Sequence, residues 1–132
     1  MANVSLLAVL AATVVAFVLG GLWYSPLLFG RIWMREAGVT GGGCGSQPSA
    51  RILTATFLLA LTSTLFLAFL LGPKPGVVHG IEAGLILGFG FVATAIATNY
   101  LFEGKSPAYF AINAGYHVVR FLAAGVVLGL LQ

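Results

Sequence analysis

A row of polar side chains interrupts the last apolar segment of this chain. Its members are Tyr109, Asn113, Tyr116, His117 and Arg120. Because most neighbours in the row are three or four residues apart, a helix would place all five on one face, here called the polar stripe. An arginine facing lipid at the membrane centre costs at least ~2.5–3.5 kcal/mol, so we expect the stripe to face protein or water. Its amide, phenols, imidazole and fixed positive charge predict a site for a small solute or an anion.

A carboxylate in the preceding apolar segment offers a counter-charge to this stripe. Glu82 lies inside that segment, and an ionisable residue within a membrane span suggests function by default. Counting back from a turn near residue 104, Glu82 and Arg120 would be offset by ~9 Å along the helix axis. A pairing of Glu82 with Arg120 or His117 and a Glu82 that extends to the headgroups both stay open.

The composition places these residues in a membrane protein. Of the 132 residues, 60% are hydrophobic and 7% are charged, against ~25% charged in a soluble domain. Too few polar residues are present to cover a water-exposed surface. The six bases are scattered and do not alternate with aromatic residues, so we expect no nucleic-acid partner. The lone Cys44 excludes an internal disulfide.

Four apolar segments are long enough to cross ~30 Å of hydrocarbon as helices. They cover residues 3–29, 51–72, 77–101 and 107–131. Backbone groups in lipid must be satisfied within each segment, which favours helices. The sequence therefore predicts an all-α integral membrane protein, a single domain over 1–132 with four transmembrane helices in an antiparallel bundle. Residues 38–50, rich in Gly and Ser, are expected to form a mobile loop.

The end of the first span carries a dense aromatic motif. It consists of Trp23, Tyr24, Ser25 and Pro26. Trp and Tyr suit the headgroup zone, and a proline can kink or end a helix. Residues 29–36 could then lie along the surface as a short interfacial helix, with Trp33 as an anchor.

Small residues and polar residues also mark the third span. Gly80, Gly84 and Gly88 form a bare face that predicts close helix packing, either within the monomer or in an oligomer, and a central position for this span. Near its end, Asn99 and Glu103 precede the last turn. We expect Asn99 to make a structural hydrogen bond there, capping or bridging the start of the fourth span, with Ser106 as its N-cap.

The distribution of bases predicts the orientation in the membrane. Arg31, Arg35, Arg51 and Lys105 flank the first and third connections, whereas the second carries only Lys74. The positive-inside rule therefore puts both termini outside the cytoplasm.

Three sequence motifs point to a known family. The run from Gly21 to Met34, which reads GLWYSPLLFGRIWM, resembles the signature of a family of small bacterial four-helix membrane proteins, catalogued as domain of unknown function 1761. Asn99 to Glu103 and Asn113-x-Gly115-Tyr116-His117 are similar to its later motifs. The resemblance implies a four-helix fold in a bacterial inner membrane. It implies no activity, so it assigns no catalytic residues.

Motifs of soluble enzymes are not matched. Gly104-Lys105-Ser106 resembles the tail of a phosphate-binding loop, but Asn99 stands where the first glycine belongs. The chain has two histidines and no aspartate, so neither a zinc pattern nor a Ser-His-Asp triad can be assembled. We predict no catalytic residue, no metal and no cofactor.

Three classes of function remain open at this point. The first is a protein that binds or conducts a small solute or ion through the polar stripe, and it is the reading we favour. The second is an accessory or scaffolding subunit, with the stripe as interhelical glue and the glycine face as a docking surface. The third is a lipid- or cofactor-binding protein or membrane enzyme that uses His117. The expected partners are the bilayer and either a second copy, as a homo-oligomer, or another membrane protein.

Overall fold

Four helices of this protein are long and apolar enough to cross a membrane. The structure is a computed structural model that describes residues 3–38 and 48–132. The four spans are Leu6–Trp23, Ala50–Leu71, Gly76–Glu103 and Pro107–Leu131. The predicted all-α, four-helix membrane fold is therefore confirmed.

All regular secondary structure in the described residues is helical. The elements in chain order are α1 (Leu6–Trp23), α2 (Gly30–Glu36), α3 (Ala50–Leu71), α4 (Gly76–Leu85), a π-helical segment (Ile86–Ala93), α5 (Thr94–Glu103) and α6 (Pro107–Leu131). The third span is made of α4, the π-helical segment and α5. The short helix α2 follows the first span, where the sequence predicts a short helix over residues 29–36.

The outer surface of the bundle suits lipid. Large apolar side chains such as Leu59, Phe66 and Phe91 are each more than 60% exposed. Hydroxyls on this surface bond to carbonyls of their own helix, as Thr54 does to Ala50 at 2.8 Å. Such local bonds satisfy a hydroxyl without water. The length of the four helices and the apolar outer surface both indicate a multi-pass membrane protein.

The first helix ends earlier than the predicted residue 29. It stops at Trp23, and a turn over residues 24–29 leads into α2. Pro26 has no N–H to continue the helical ladder, and the Ser25 hydroxyl donates instead to the Leu22 carbonyl at 2.6 Å. The predicted loop over 38–50 falls mostly outside the described residues, and so does Cys44.

Serine side chains begin three of the spans. Ser5, Ser49 and Ser106 each accept a hydrogen bond from a backbone N–H three residues later, at 3.1–3.3 Å. These bonds satisfy donors that the first helical turn leaves free. The predicted cap of the fourth span at Ser106 is confirmed. Gly104, with φ of 69°, closes α5 in a left-handed conformation that suits glycine.

The central helix is α6, not the third span as the glycine pattern predicts. It packs against α4 and the π-helical segment on one side and against α1 on the other, and it also contacts α2, α3 and α5. The fully buried Val9, Leu67 and Leu128 fill the space between these helices. Small residues around them, among them Ala12 and Ala124, let the helices approach closely.

The glycine face of the third span packs against α6 within the same chain. Gly80 meets Gly125 backbone to backbone. A Cβ at position 84 would lie 2.6 Å from the Phe121 carbonyl oxygen, and one at position 88 would lie 2.9 Å from the Val118 Cα. The two helices therefore run antiparallel with almost no side chain between them.

Replacing a glycine of this face should destabilise the protein. We expect Gly84→Leu to lower the free energy of unfolding by about 1–3 kcal/mol, because the new side chain would collide with the backbone of α6. Thermal unfolding in a mild detergent, followed by circular dichroism, measures the loss. The matched control is Gly90→Leu in the same span, where a Cβ would meet nothing within 4 Å. Equal stability of the two variants would contradict the packing.

Candidate functional site

Asn113 joins three helical regions at the end of the bundle that carries the first and third connections, here called the loop end. The Tyr24 hydroxyl donates to Asn113 Oδ1 at 2.7 Å, and Asn113 Nδ2 donates to the Tyr100 hydroxyl at 3.0 Å. Asn113 is 8% exposed, so these bonds are made away from solvent. Its amide therefore ties the end of α1 and the end of α5 to α6.

Two further side chains fix α1 to α6. Trp23 Nε1 donates to the Ile112 carbonyl at 2.9 Å, and the Tyr116 hydroxyl donates to the Ala16 carbonyl at 3.4 Å. The phenol of Tyr116 lies on Gly20, where a Cβ would be 2.8 Å from its oxygen. The aromatic motif of the first span thus faces the polar stripe instead of serving only as a headgroup anchor.

Aromatic rings surround the Asn113 bridge. Trp33 stacks on Tyr109 with ring centroids 6.2 Å apart, and its ring lies 5.8 Å from that of Tyr24. Tyr100 and Tyr109 are 5.1 Å apart. The Lys105 ammonium lies 5.4 Å from the Tyr109 ring centroid. These contacts fold α2 back against the start of α6.

A carboxylate completes the attachment of α2. Glu36, at the end of α2, accepts a hydrogen bond from the Ser106 hydroxyl at 2.6 Å. Ser106 caps α6, so the negative charge lies at the positive end of that helix. The sequence does not predict this contact, because the spacing of residues along one helix gives no information on two residues 70 positions apart.

The surroundings of Tyr24 change its acidity. Tyr24 lies just beyond the end of the first span. Burial raises the pKa of its phenol above the usual value of 10, and the nearby phenols of Tyr116, Tyr100 and Tyr109 raise it further. Tyr24 therefore remains a neutral hydrogen-bond donor to Asn113 at any physiological pH.

The far half of the polar stripe is bonded much less completely. Arg120 Nη1 donates to the Ser63 hydroxyl of α3 at 2.9 Å, and its guanidinium carbon lies 4.5 Å from the Phe121 ring centroid. Arg120 Nε and His117 Nδ1 are both buried with no hydrogen-bond partner among the described residues. Unpaired buried polar atoms are uncommon and call for an explanation.

Glu82 lies away from this group. Its side chain is 63% exposed, and its carboxylate lies 3.7 Å from His79 Nδ1 on the same helix. Arg120 bonds to Ser63 instead. Depth in the membrane does not separate Glu82 from Arg120. Because Gly84 lies opposite Phe121 on the antiparallel α6, Glu82 is offset from Arg120 by only ~4.5 Å along the helix axis. The separation is rotational, because the glycines occupy the face of α4 that contacts α6.

The two polar residues predicted at the last turn take no part in the network. Asn99 and Glu103 are both exposed, and Asn99 makes no side-chain hydrogen bond to the described residues. Tyr100, the next residue, makes the bond to α6 that the sequence pattern predicts for Asn99. The helix rotation selects Tyr100, and the sequence pattern alone does not give that rotation.

The polar stripe is thus divided in two. None of its five members is exposed. The half near the loop end, with Asn113 and Tyr116, spends its hydrogen bonds on holding helices together. The half deeper in the span, with His117 and Arg120, keeps free donors or acceptors. Within residues 3–38 and 48–132, no three His, Cys, Asp or Glu side chains come close enough to hold a metal ion.

A match over most of the chain decides its family. A family model described as protein of unknown function, DUF1761, matches residues 7–129. The chain belongs to the DUF1761 family. The match includes the aromatic motif, Tyr100 and the whole polar stripe, so the DUF1761 region contains every residue of the site. No curated protein and no solved structure matches this chain significantly.

Removing the Asn113 amide should loosen the loop end of the bundle. We expect Asn113→Leu to lower the free energy of unfolding by about 1–3 kcal/mol, because the buried Tyr24 hydroxyl would lose its acceptor. Thermal unfolding in detergent measures the change. Asn99→Leu makes the same substitution at an exposed position of α5 and should change stability little. A loss as large in Asn99→Leu would refute the assignment.

The raised pKa of Tyr24 predicts a loss of stability in alkali. Above pH 10 the unfolded chain releases the Tyr24 proton while the folded chain keeps it, so the unfolded state gains and stability falls as pH rises. This group alone can contribute a slope of up to ~1.4 kcal/mol per pH unit. Comparing unfolding of the native protein and Tyr24→Phe from pH 8 to 12 tests it: the variant should show a shallower decline, and parallel curves would contradict the burial.

Proposed function

We propose that this membrane protein binds a small monovalent anion at Arg120, within the bundle and beside His117. The observation that carries the proposal is the lack of a carboxylate beside Arg120 among the described residues. Its one hydrogen-bond acceptor there is the neutral Ser63 hydroxyl. A guanidinium held away from water without a counter-charge is costly, and a bound anion would offset that cost.

The acidic residues of the chain are engaged or located elsewhere. Glu36 bonds to Ser106 at the loop end, Glu82 lies by His79 on the outer face of α4, and Glu103 is exposed at the end of α5. Since the chain has three acidic residues, all of them are accounted for. A counter-charge for Arg120 would therefore come from a bound anion and not from these three carboxylates.

Ser63 would position the guanidinium and leave the anion to other donors. Its hydroxyl donates to the Ala60 carbonyl at 2.9 Å while accepting from Arg120, so its single hydrogen is already used. The buried groups left to bind an anion include Arg120 Nε and, when it carries a proton, His117 Nδ1. An imidazole N–H and a guanidinium together form a binding pair for a small anion. Protonation of His117 would add a second positive charge and strengthen it.

The depth of Arg120 favours a site inside the membrane. Arg120 is the fourteenth of the 25 residues in α6, near the middle of the span. At that depth water is scarce, so the electrostatic attraction between cation and anion is strong. With Arg31, Arg35, Arg51 and Lys105 at the loop end facing the cytoplasm, both termini would lie on the outer side.

The test is a thermal shift with sodium salts of small monovalent anions at constant ionic strength. At 100 times its dissociation constant, a ligand that binds only the folded protein stabilises it by ~2.7 kcal/mol. We expect one or more of chloride, nitrate and thiocyanate to stabilise the native protein, and Arg120→Gln to lose that anion-specific shift. The glutamine keeps a donor for Ser63, so the bundle should still fold.

Arg51→Gln is the matched control. Arg51 is an exposed base in the first turn of α3, and its variant should respond to each anion as the native protein does. General salt effects on the detergent or on unfolding would be common to all three proteins. If Arg120→Gln keeps the full response, the anion site is refuted. If Arg120→Gln loses the response, chloride efflux from proteoliposomes distinguishes binding alone from permeation.

A further inference from the structure

A groove of about 410 Å³ runs along the outer surface of the bundle between α3 and α4. Its walls are formed by Leu70 of α3 and by Ala83, Ile86, Leu87 and Phe91 of the third span. The groove exists because α4 packs mainly on α6, so α3 and α4 touch each other sparingly although a short link joins them. This surface belongs to neither the polar stripe nor the glycine face.

The groove is apolar along most of its length and ionisable at one end. Glu82 and His79 line that end, and both are more than half exposed. From His79 to Phe91 the lining extends about 18 Å along the helix axis, the scale of a long alkyl chain. Glu82 is also the one acid of the described chain that lies more than a turn inside a span.

We propose that this groove binds a cationic amphiphile, a molecule with one long apolar tail and an ammonium head. The tail would lie along the apolar walls, and the head would meet the Glu82 carboxylate. A carboxylate on a lipid-facing surface has few water molecules to solvate it, so an ammonium group offsets the cost of its position. His79 is charged only when protonated, so it does not supply a permanent counter-ion.

A second surface groove shows why the charge matters. This groove, about 310 Å³, lies between α6 and the π-helical segment and is lined almost entirely by apolar side chains, among them Phe89, Phe110 and Val118. It contains no ionisable group, so it cannot select one head group over another. The α3–α4 groove combines a similar apolar surface with a single carboxylate, and that combination selects a cationic head.

The experiment measures binding of radiolabelled dodecyltrimethylammonium to the protein in nanodiscs of zwitterionic lipid, corrected with empty nanodiscs. Dodecanol, which has the same tail and a neutral head, is the matched ligand. We expect saturable binding of the ammonium compound and no saturable binding of dodecanol. Glu82→Gln should weaken binding by about 10-fold to 100-fold, because the quaternary ammonium would lose the electrostatic attraction of the carboxylate.

Three further variants make the result decisive. Glu103→Gln removes an exposed acid at the other end of the same span and should bind as the native protein does. Ile86→Trp fills the groove from its lipid-facing side, keeps Glu82, and should also reduce binding. Arg120→Gln should leave binding unchanged, which separates this proposal from the anion site. Equal binding of dodecanol, or full binding by Glu82→Gln, would overturn the proposal.

Discussion

The close contact between the third span and α6 is the constraint on which the rest of the structure depends. Gly80 lies directly on Gly125, and Gly84 and Gly88 press against the α6 backbone between residues 117 and 122. Because no side chain separates the two helices, neither can rotate without a collision. Their rotation therefore decides which residues of each helix face the rest of the bundle and which face lipid.

This rotation accounts for the fate of both charged groups in the spans. With the glycines turned toward α6, Glu82 faces outward beside His79. Arg120 turns toward α3, where it bonds to Ser63. The two charges are close in depth but lie on different sides of the bundle. The pairing that would neutralise Arg120 is thus prevented by the packing of small residues, and Arg120 has no carboxylate partner within residues 3–38 and 48–132.

The division of the polar stripe has consequences for the competing functions. Asn113 and Tyr116 make hydrogen bonds between helices, as the hypothesis of a purely structural stripe predicts. His117 and Arg120 fit that hypothesis less well, because each has a buried polar atom without a hydrogen-bond partner among the described residues. The glycine face, a candidate docking surface for an accessory subunit, is covered by α6. The hypothesis of an accessory subunit therefore loses its proposed docking surface, whereas the anion-site proposal does not depend on the glycine face.

The amino-acid sequence is sufficient to predict the class of the protein, its four spans, a short helix after the first span, the Ser106 cap and the single face that carries the stripe. Hydrophobic runs and helical periodicity are local properties, and each of these conclusions needs only one segment. Tertiary structure alone decided that α6 is central, that Tyr100 and not Asn99 reaches Asn113, that Glu36 meets Ser106, and that Ser63 receives Arg120. Periodicity fixes which residues share a face but not the rotation and register between helices. Those follow from close packing of all the spans together.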